Sequence, residues 1–170
     1  SLPRATRALP LAFALFIAAL PITRAAEFNL ETATVADIQS AMDAGALSSE
    51  KLVSLYLSRI EAYDQKGPKI NAIITLNPDA LKIARELDAE RKAKGPRSPL
   101  HGVPVVLKDL FDTKDMATSA GFLPLKDSLP LYDATVVKRL RDAGAIIFAK
   151  VNMSDWFGVP KPGDQSTVLG

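Results

Sequence analysis

A lysine followed at once by an aspartate ends an apolar run in "LHGVPVVLKDLFDTKDMATSAG", residues 100–121. The small and branched residues before Lys108 predict a buried strand. An ammonium at the mouth of such a strand is partly desolvated, and desolvation disfavours the charged form. Because a neutral lysine can act as a general base near neutral pH, Lys108 is the first candidate for chemistry. The alternative is an ordinary surface lysine at a strand end.

Asp109 would favour the charged form of Lys108 if the two side chains faced each other. Consecutive strand residues point to opposite faces of a sheet, so we expect the Asp109 carboxylate to point away. The following segment, "MATSAG" (116–121), combines small residues with two hydroxyls. It suits either a loop that approaches a ligand or a tight turn between two elements, and the residues alone leave both interpretations open.

Other residues of suitable type lack the spacing that chemistry requires. His101 precedes a glycine in a strand-entry loop, where a structural role is expected. Ser119, Ser154 and Ser166 are candidate nucleophiles by type only, because none lies in a G-x-S-x-G turn. The carboxylates of Asp112, Asp115 and Asp155 could bind a hard metal ion, but they lack the alternation of a calcium loop.

Composition narrows the class of protein. The 170 residues are 48% hydrophobic and 24% charged, as in a soluble globular domain with a real core. The 21 basic and 19 acidic residues are interspersed, which argues against a nucleic-acid-binding face. Because the chain has no cysteine and one histidine, a thiolate metal site, a cysteine nucleophile and a histidine-rich metal site are excluded within it. We therefore expect no cofactor and no nucleic-acid partner.

Helical and strand patterns alternate from residue 27 onward. Capping residues predict four helices, beginning after Thr34, Ser48, Asn77 and Asp133. Apolar runs bounded by breakers predict strands at "KINAIITL" (69–76), "VPVVL" (103–107) and "AIIFAKVN" (145–152), with the second buried on both faces. This alternation predicts an α/β fold in which helices cover a sheet.

The first residues have the pattern of a secretory signal peptide. Arg4 and Arg7 precede the apolar "LPLAFALFIAALP" (9–21), and the small residues Ala25 and Ala26 follow. The apolar run is shorter than the roughly 20 residues of a membrane-spanning helix. We assign residues 1–26 to a signal peptide and 27–170 to the domain, and we expect export to the periplasm or the medium without a stable membrane span. A buried or amphipathic N-terminal helix is the alternative.

Two segments in this order resemble the amidase signature family over most of the chain after the leader. They are residues 100–121 and "DATVVKRLRDAGAIIFAKVNMSDW" (133–156), joined across a helix–strand unit. The resemblance implies the amidase signature fold, a mixed sheet covered by helices, incomplete in this chain. It also implies an enzyme that hydrolyses a small-molecule amide without a cofactor.

In this family, the lysine of the strand-end "KD" motif is the base of a Ser–cis-Ser–Lys triad, and by position that lysine is Lys108. One serine relays a proton to the lysine, the other attacks the amide carbonyl, and backbone N–H groups hold the oxyanion. The resemblance places both serines in a Gly/Ser-rich segment beyond Gly170. We therefore expect residues 1–170 alone to be catalytically incomplete. Phe122 departs from the serine that many members carry after "AG".

Two other functions stay open. One is a non-enzymatic α/β binding or scaffold domain in which Lys108 is only structural. The other is the amidase-type subunit of a tRNA amidotransferase. A secretory leader argues against the second, because its tRNA substrate is cytoplasmic.

The leader generates the first testable prediction. We expect protein secreted by the native host to begin near Ala25–Ala26, because a signal peptidase cuts after small residues. N-terminal sequencing of the secreted protein measures this directly. Mature protein that still begins before Leu20 would contradict the assignment.

Overall fold

The computed structural model describes residues 28–153. Its α-helices are α1 (Val35–Asp43), α2 (Ser49–Arg59), α3 (Ala80–Lys94) and α4 (Thr135–Asp142), and its strands are β1 (Ile73–Leu76), β2 (Pro104–Lys108) and β3 (Ile146–Val151). A π-helical segment, Ile60–Gln65, prolongs α2, and a 3₁₀ turn, Leu123–Leu125, lies between β2 and α4. The assigned signal peptide lies outside the described residues, as do Ser154, Asp155 and Ser166.

The strands form a mixed sheet in the order β1-β3-β2. β3 is antiparallel to β1 and parallel to β2, with Leu107 in register with Lys150 and Lys108 in register with Val151. The prediction of an α/β fold with a mixed sheet covered by helices is therefore confirmed. β3, the last strand of the described residues, is the central one, so it carries the ladder hydrogen bonds of both neighbours.

Alternation along β3 divides the core into two layers. Ile146 and Phe148 pack on one face against α2 and α3, in a cluster with Val53, Ala84 and Leu87. Ile147 packs on the other face against a cluster formed by Leu107, Met116 and Val137. A third cluster, formed by Ile38, Met42, Leu52 and Val103, joins α1 to α2 and to the start of β2. Each buried Val, Leu, Ile, Met or Phe side chain among these contributes on the order of 1.5–3 kcal/mol.

The prediction that β2 is buried on both faces is wrong. Val106 is 49% exposed, whereas Leu107 is 6% exposed. Within residues 28–153, β2 pairs on one side only, with β3, and one of its faces is open. The strand predicted from Lys69 begins only at Ile73, because Lys69 and Asn71 both have φ of 53°, which breaks an extended chain.

The starts of α3 and α4 also differ from the predictions, because the side chains of the two predicted capping residues make other contacts. Asn77 does not cap α3, whose N-cap is Asp79. The Asn77 side chain accepts from the Asp79 amide at 2.9 Å and donates to the Ile147 carbonyl at 2.8 Å, which connects this turn to β3. Asp133 does not cap α4; its carboxylate accepts from the Lys114 amide at 3.0 Å and pairs with Arg141. The caps predicted at Thr34 and Ser48 are confirmed.

The first turn of α2 is held by a carboxylate from α3. Asp88 accepts from the Ser49 amide at 2.8 Å and from the Glu50 amide at 3.0 Å. Because the first amides of a helix have no intrahelical acceptor, this contact satisfies two of them and places a negative charge at the positive end of the helix dipole. No helix between residues 28 and 153 is long and apolar enough to cross a bilayer.

We expect Asp88→Ala to lower the free energy of unfolding of the intact protein by about 1–2 kcal/mol, because both amides lose their acceptor. Glu86→Ala, at an exposed position of the same helix, is the matched control and should change stability by less than about 0.5 kcal/mol. Urea denaturation of the two variants beside the wild type measures the difference. Equal losses would show that the Asp88 contact does not stabilise α2.

Candidate functional site

Lys108 is the last residue of β2 and is half-buried. Its backbone is held on both sides, since its carbonyl accepts from the Phe111 amide at 3.2 Å and the next amide, that of Asp109, donates to the Val151 carbonyl at 3.1 Å. A turn therefore begins directly at Lys108 while the sheet ladder still continues one residue further. The candidate base lies at a fixed point of the backbone.

Asp109 is fully buried, and its carboxylate is engaged by two side chains. One oxygen, Oδ1, lies 3.1 Å from Nζ of Lys150. The other, Oδ2, accepts from the Ser119 amide at 3.1 Å and from the Ser119 hydroxyl. The Asp109 carboxylate is therefore committed to β3 and to the segment after β2.

Lys150 lies in β3 and is also fully buried. Its ammonium donates to Thr118 Oγ1 at 2.8 Å and to the Ala117 carbonyl at 3.2 Å, in addition to its ion pair with Asp109. Burial lowers the pKa of Lys150 below its ordinary value, and the charge of Asp109 opposes that shift. We define the Asp109–Lys150 cluster as these two residues with Thr118 and Ser119.

Sequence reasoning missed Lys150, because its strand reads only as an apolar run. A signal was nevertheless present. Both "VVLKD" and "FAKVN" place a lysine near the carboxyl end of an apolar strand. Since β2 and β3 are parallel neighbours, residues near those ends meet at one edge of the sheet. Of these two lysines, Lys150 lies in the central strand and is fully buried, so its charge requires a carboxylate partner.

The segment 116–121 is irregular up to a turn at Ala120–Gly121, and its hydroxyls bond within the protein. Ser119 Oγ, besides donating to Asp109, accepts from the Gly121 amide at 3.2 Å, and the Thr118 hydroxyl donates to the Phe111 carbonyl at 3.2 Å. Ala120 and Gly121 have φ of 53° and 73°, and the Ala120 amide donates to the Asp109 carbonyl at 2.9 Å. The approach of this segment to a ligand, the other interpretation left open above, stays a prediction.

Two of the remaining candidates, His101 and Asp115, have structural partners. His101 is buried, with its ring nitrogens 3.0 Å from the Leu87 carbonyl and 3.3 Å from the Arg97 amide. Gly144 must be glycine there, because a Cβ would lie 2.7 Å from His101 Nδ1 at a φ of 86°. Asp115 forms a two-contact ion pair with Arg141, at 2.7 and 2.8 Å. Between residues 28 and 153, no group of three or more His, Cys, Asp or Glu side chains could hold a metal ion.

Comparison with known proteins places these residues in one family. Residues 51–161 match the family model described as Amidase. The chain is 45% identical over 137 residues to a putative amidase of Schizosaccharomyces pombe, covering 80% of this chain and 23% of that protein. It is 41% identical over 123 residues to one subunit of the glutamyl-tRNA(Gln) amidotransferase of Halorhodospira halophila, covering 72% of this chain and 25% of that protein.

The structure gives the same result. The native peptide amidase from Stenotrophomonas maltophilia is similar with a TM-score of 0.71 and 51% identity, over 74% of this chain and 26% of that one. The chain thus spans about a quarter of the length of the relatives that it matches.

The Ser119 contacts generate a prediction about stability. We expect Ser119→Ala to lower the free energy of unfolding by about 1.5–3 kcal/mol, because a buried carboxylate loses a hydroxyl donor. The matched control is Ser128→Ala, at an exposed position beyond the same turn, with a change below about 0.5 kcal/mol. Denaturant unfolding of the intact protein measures both, and equal stability of the two variants would remove Ser119 from the cluster.

Proposed function

This chain belongs to the amidase family, and on that basis we propose that the intact protein hydrolyses an amide bond through a Ser–cis-Ser–Lys triad in which Lys108 is the base. The observation that carries the proposal is the position of Lys108 at the carboxyl end of β2, inside the matched segment 51–161. Both segments that resemble the family, around Lys108 and around β3, meet at this edge of the sheet.

The carboxylate that follows Lys108 in the sequence is engaged by other residues. A carboxylate directed at a lysine favours the ammonium form, which cannot accept a proton. Asp109, although adjacent in sequence, gives its carboxylate to Lys150 and Ser119. The Asp109 charge is therefore compensated by a second lysine, Lys150.

In the proposed reaction, the Lys108 amine accepts a proton through the bridging serine while the second serine attacks the amide carbon. The C–N bond then breaks, and the leaving nitrogen takes the proton that Lys108 held. Water hydrolyses the resulting acyl-serine and regenerates the enzyme. Ser119 is not assigned as either serine, because it is 2% exposed and its hydroxyl is bound to Asp109.

A peptide amide is the substrate class to test first, because the structure that is 51% identical is a peptide amidase. We also propose that the protein is exported, on the pattern of residues 1–26 described above. An exported amidase would act outside the cytoplasm. Small peptides and amides are suitable substrates there, because their hydrolysis requires no tRNA.

A second candidate function is that of the tRNA amidotransferase, since one relative from such an enzyme is 41% identical. In the amidase, water accepts the acyl group and ammonia is released; in the amidotransferase, the nitrogen passes to a glutamyl-tRNA. Release of ammonia from a peptide amide by the intact protein alone favours the amidase. Activity that requires glutamine, a glutamyl-tRNA and further subunits favours the amidotransferase. Absence of both activities favours the scaffold domain.

We expect Lys108→Ala in the intact protein to lower kcat/KM at least about 10³-fold, because the members of a catalytic triad act as a unit. The fold should change little, since a strand-end lysine contributes mainly through its apolar stem. Ammonia release and a thermal melt on the same sample are the measurements. Lys126→Ala, at an exposed position, is the control and should match the wild type. Near-wild-type turnover of Lys108→Ala would make Lys108 a structural residue.

A further inference from the structure

Two opposite charges without solvent access lie next to the candidate base. Asp109 follows Lys108 directly, and Lys150 lies across the β2–β3 ladder beside Leu107; both charged side chains are 0% exposed. Together with Thr118 and Ser119 they form the buried Asp109–Lys150 cluster. The proposed reaction uses none of these four side chains chemically.

Stability alone is a weak reason for such a pair. Removing two charges from water costs free energy that their attraction only partly returns, and well-packed apolar residues of similar size often do as well or better. What an ion pair adds is a single geometry, because moving either partner leaves a buried charge uncompensated. A buried pair therefore suits a place where backbone position matters.

The cluster joins three segments that meet at Asp109, the residue directly after Lys108. Asp109 continues β2, Lys150 belongs to β3, and Thr118 and Ser119 belong to the turn after β2. Backbone bonds follow the same path, since the Asp109 amide donates to the Val151 carbonyl at 3.1 Å and its carbonyl accepts from the Ala120 amide at 2.9 Å.

Lys108 lies between two residues that cannot turn outward. Leu107 is 6% exposed in an apolar cluster, and Asp109 is held by its ion pair. Rotation of the backbone at Lys108 would draw one of these side chains out of its site. The direction in which the Lys108 side chain leaves β2 is fixed accordingly.

We propose that Asp109 and Lys150 are positioning residues whose buried ion pair holds the backbone of Lys108, and with it the catalytic amine, in the orientation that proton transfer requires. The inference rests on the proposed role of Lys108 as the base. A misplaced base impairs the chemical step and leaves substrate binding alone, so the pair should act on kcat and not on KM.

The experiment compares stability with turnover in the intact protein. Asp109→Asn and Lys150→Met, each alone, leave one buried charge unpaired and should lower the melting temperature. The double variant removes both charges and should regain most of that loss. Its kcat on a peptide amide should nevertheless stay about 10- to 100-fold below the wild type, with KM changed less than about twofold. Recovery of kcat together with the melting temperature would overturn the proposal, because the pair would then be only structural.

A control far from Lys108 separates positioning from loss of stability. Arg91 of α3 bonds Asp43 at 2.7 Å and the His101 carbonyl at 3.1 Å, near the opposite end of β2. Arg91→Met should lower the melting temperature and leave kcat near the wild-type value. A kcat that falls equally in Arg91→Met would overturn the proposal, since any destabilisation would then suffice.

Two further variants complete the test. If the double variant shows no cooperative melt, Thr118→Val removes the 2.8 Å contact of Lys150 while keeping both charges. It should lower kcat at unchanged KM, and a wild-type kcat would overturn the proposal. Lys108→Ala is measured beside them. Full turnover of Lys108→Ala would refute the proposed base, whereas an inactive Lys108→Ala with a fully active double variant would refute only the positioning role.

Discussion

An ammonium group with no access to solvent must be compensated where it lies, and Lys150 imposes this requirement on the structure around it. Its position in β3, the central strand of the described sheet, removes it from water. A carboxylate has to reach it from a neighbouring element, and Asp109 does so from the end of β2. The relative position of β2, β3 and the turn that follows β2 is therefore specified by charge as well as by apolar packing.

Apolar packing specifies the rest. β3 separates two layers, one with α2 and α3 and one with α4 and the segment before it. Helix ends are fastened by polar side chains from other elements, as Asp88 fastens α2 and Asn77 fastens the turn before α3. Such contacts position whole elements at little cost in apolar area, because each satisfies backbone groups that would otherwise be buried without a partner.

Local features could be predicted from the sequence, and features that depend on distant residues could not. The caps at Thr34 and Ser48 are formed by residues three positions away and were predicted. Asn77 and Asp133 are equally good capping residues by type. In the structure, however, the Asn77 side chain bonds to β3 and the Asp133 carboxylate pairs with Arg141. Lys108 was found from its motif, whereas Lys150 was missed because its partner comes from another strand. The role of Lys108 in catalysis stays a prediction.

The place of β3 in the chain has a consequence for synthesis on the ribosome. β1 and β2 make no ladder with each other in residues 28–153; each pairs only with β3, which comes last. Helices α1, α2 and α3 can form and pack as they emerge, but the sheet described for residues 28–153 cannot form until Val151 has left the exit tunnel. The apolar strands Ile73–Leu76 and Pro104–Lys108 wait during that interval with open edges, which favour pairing with other nascent chains. Sheet formation in this region therefore waits for one late strand, and a slower arrival of that strand lengthens the time for which the two edges stay open.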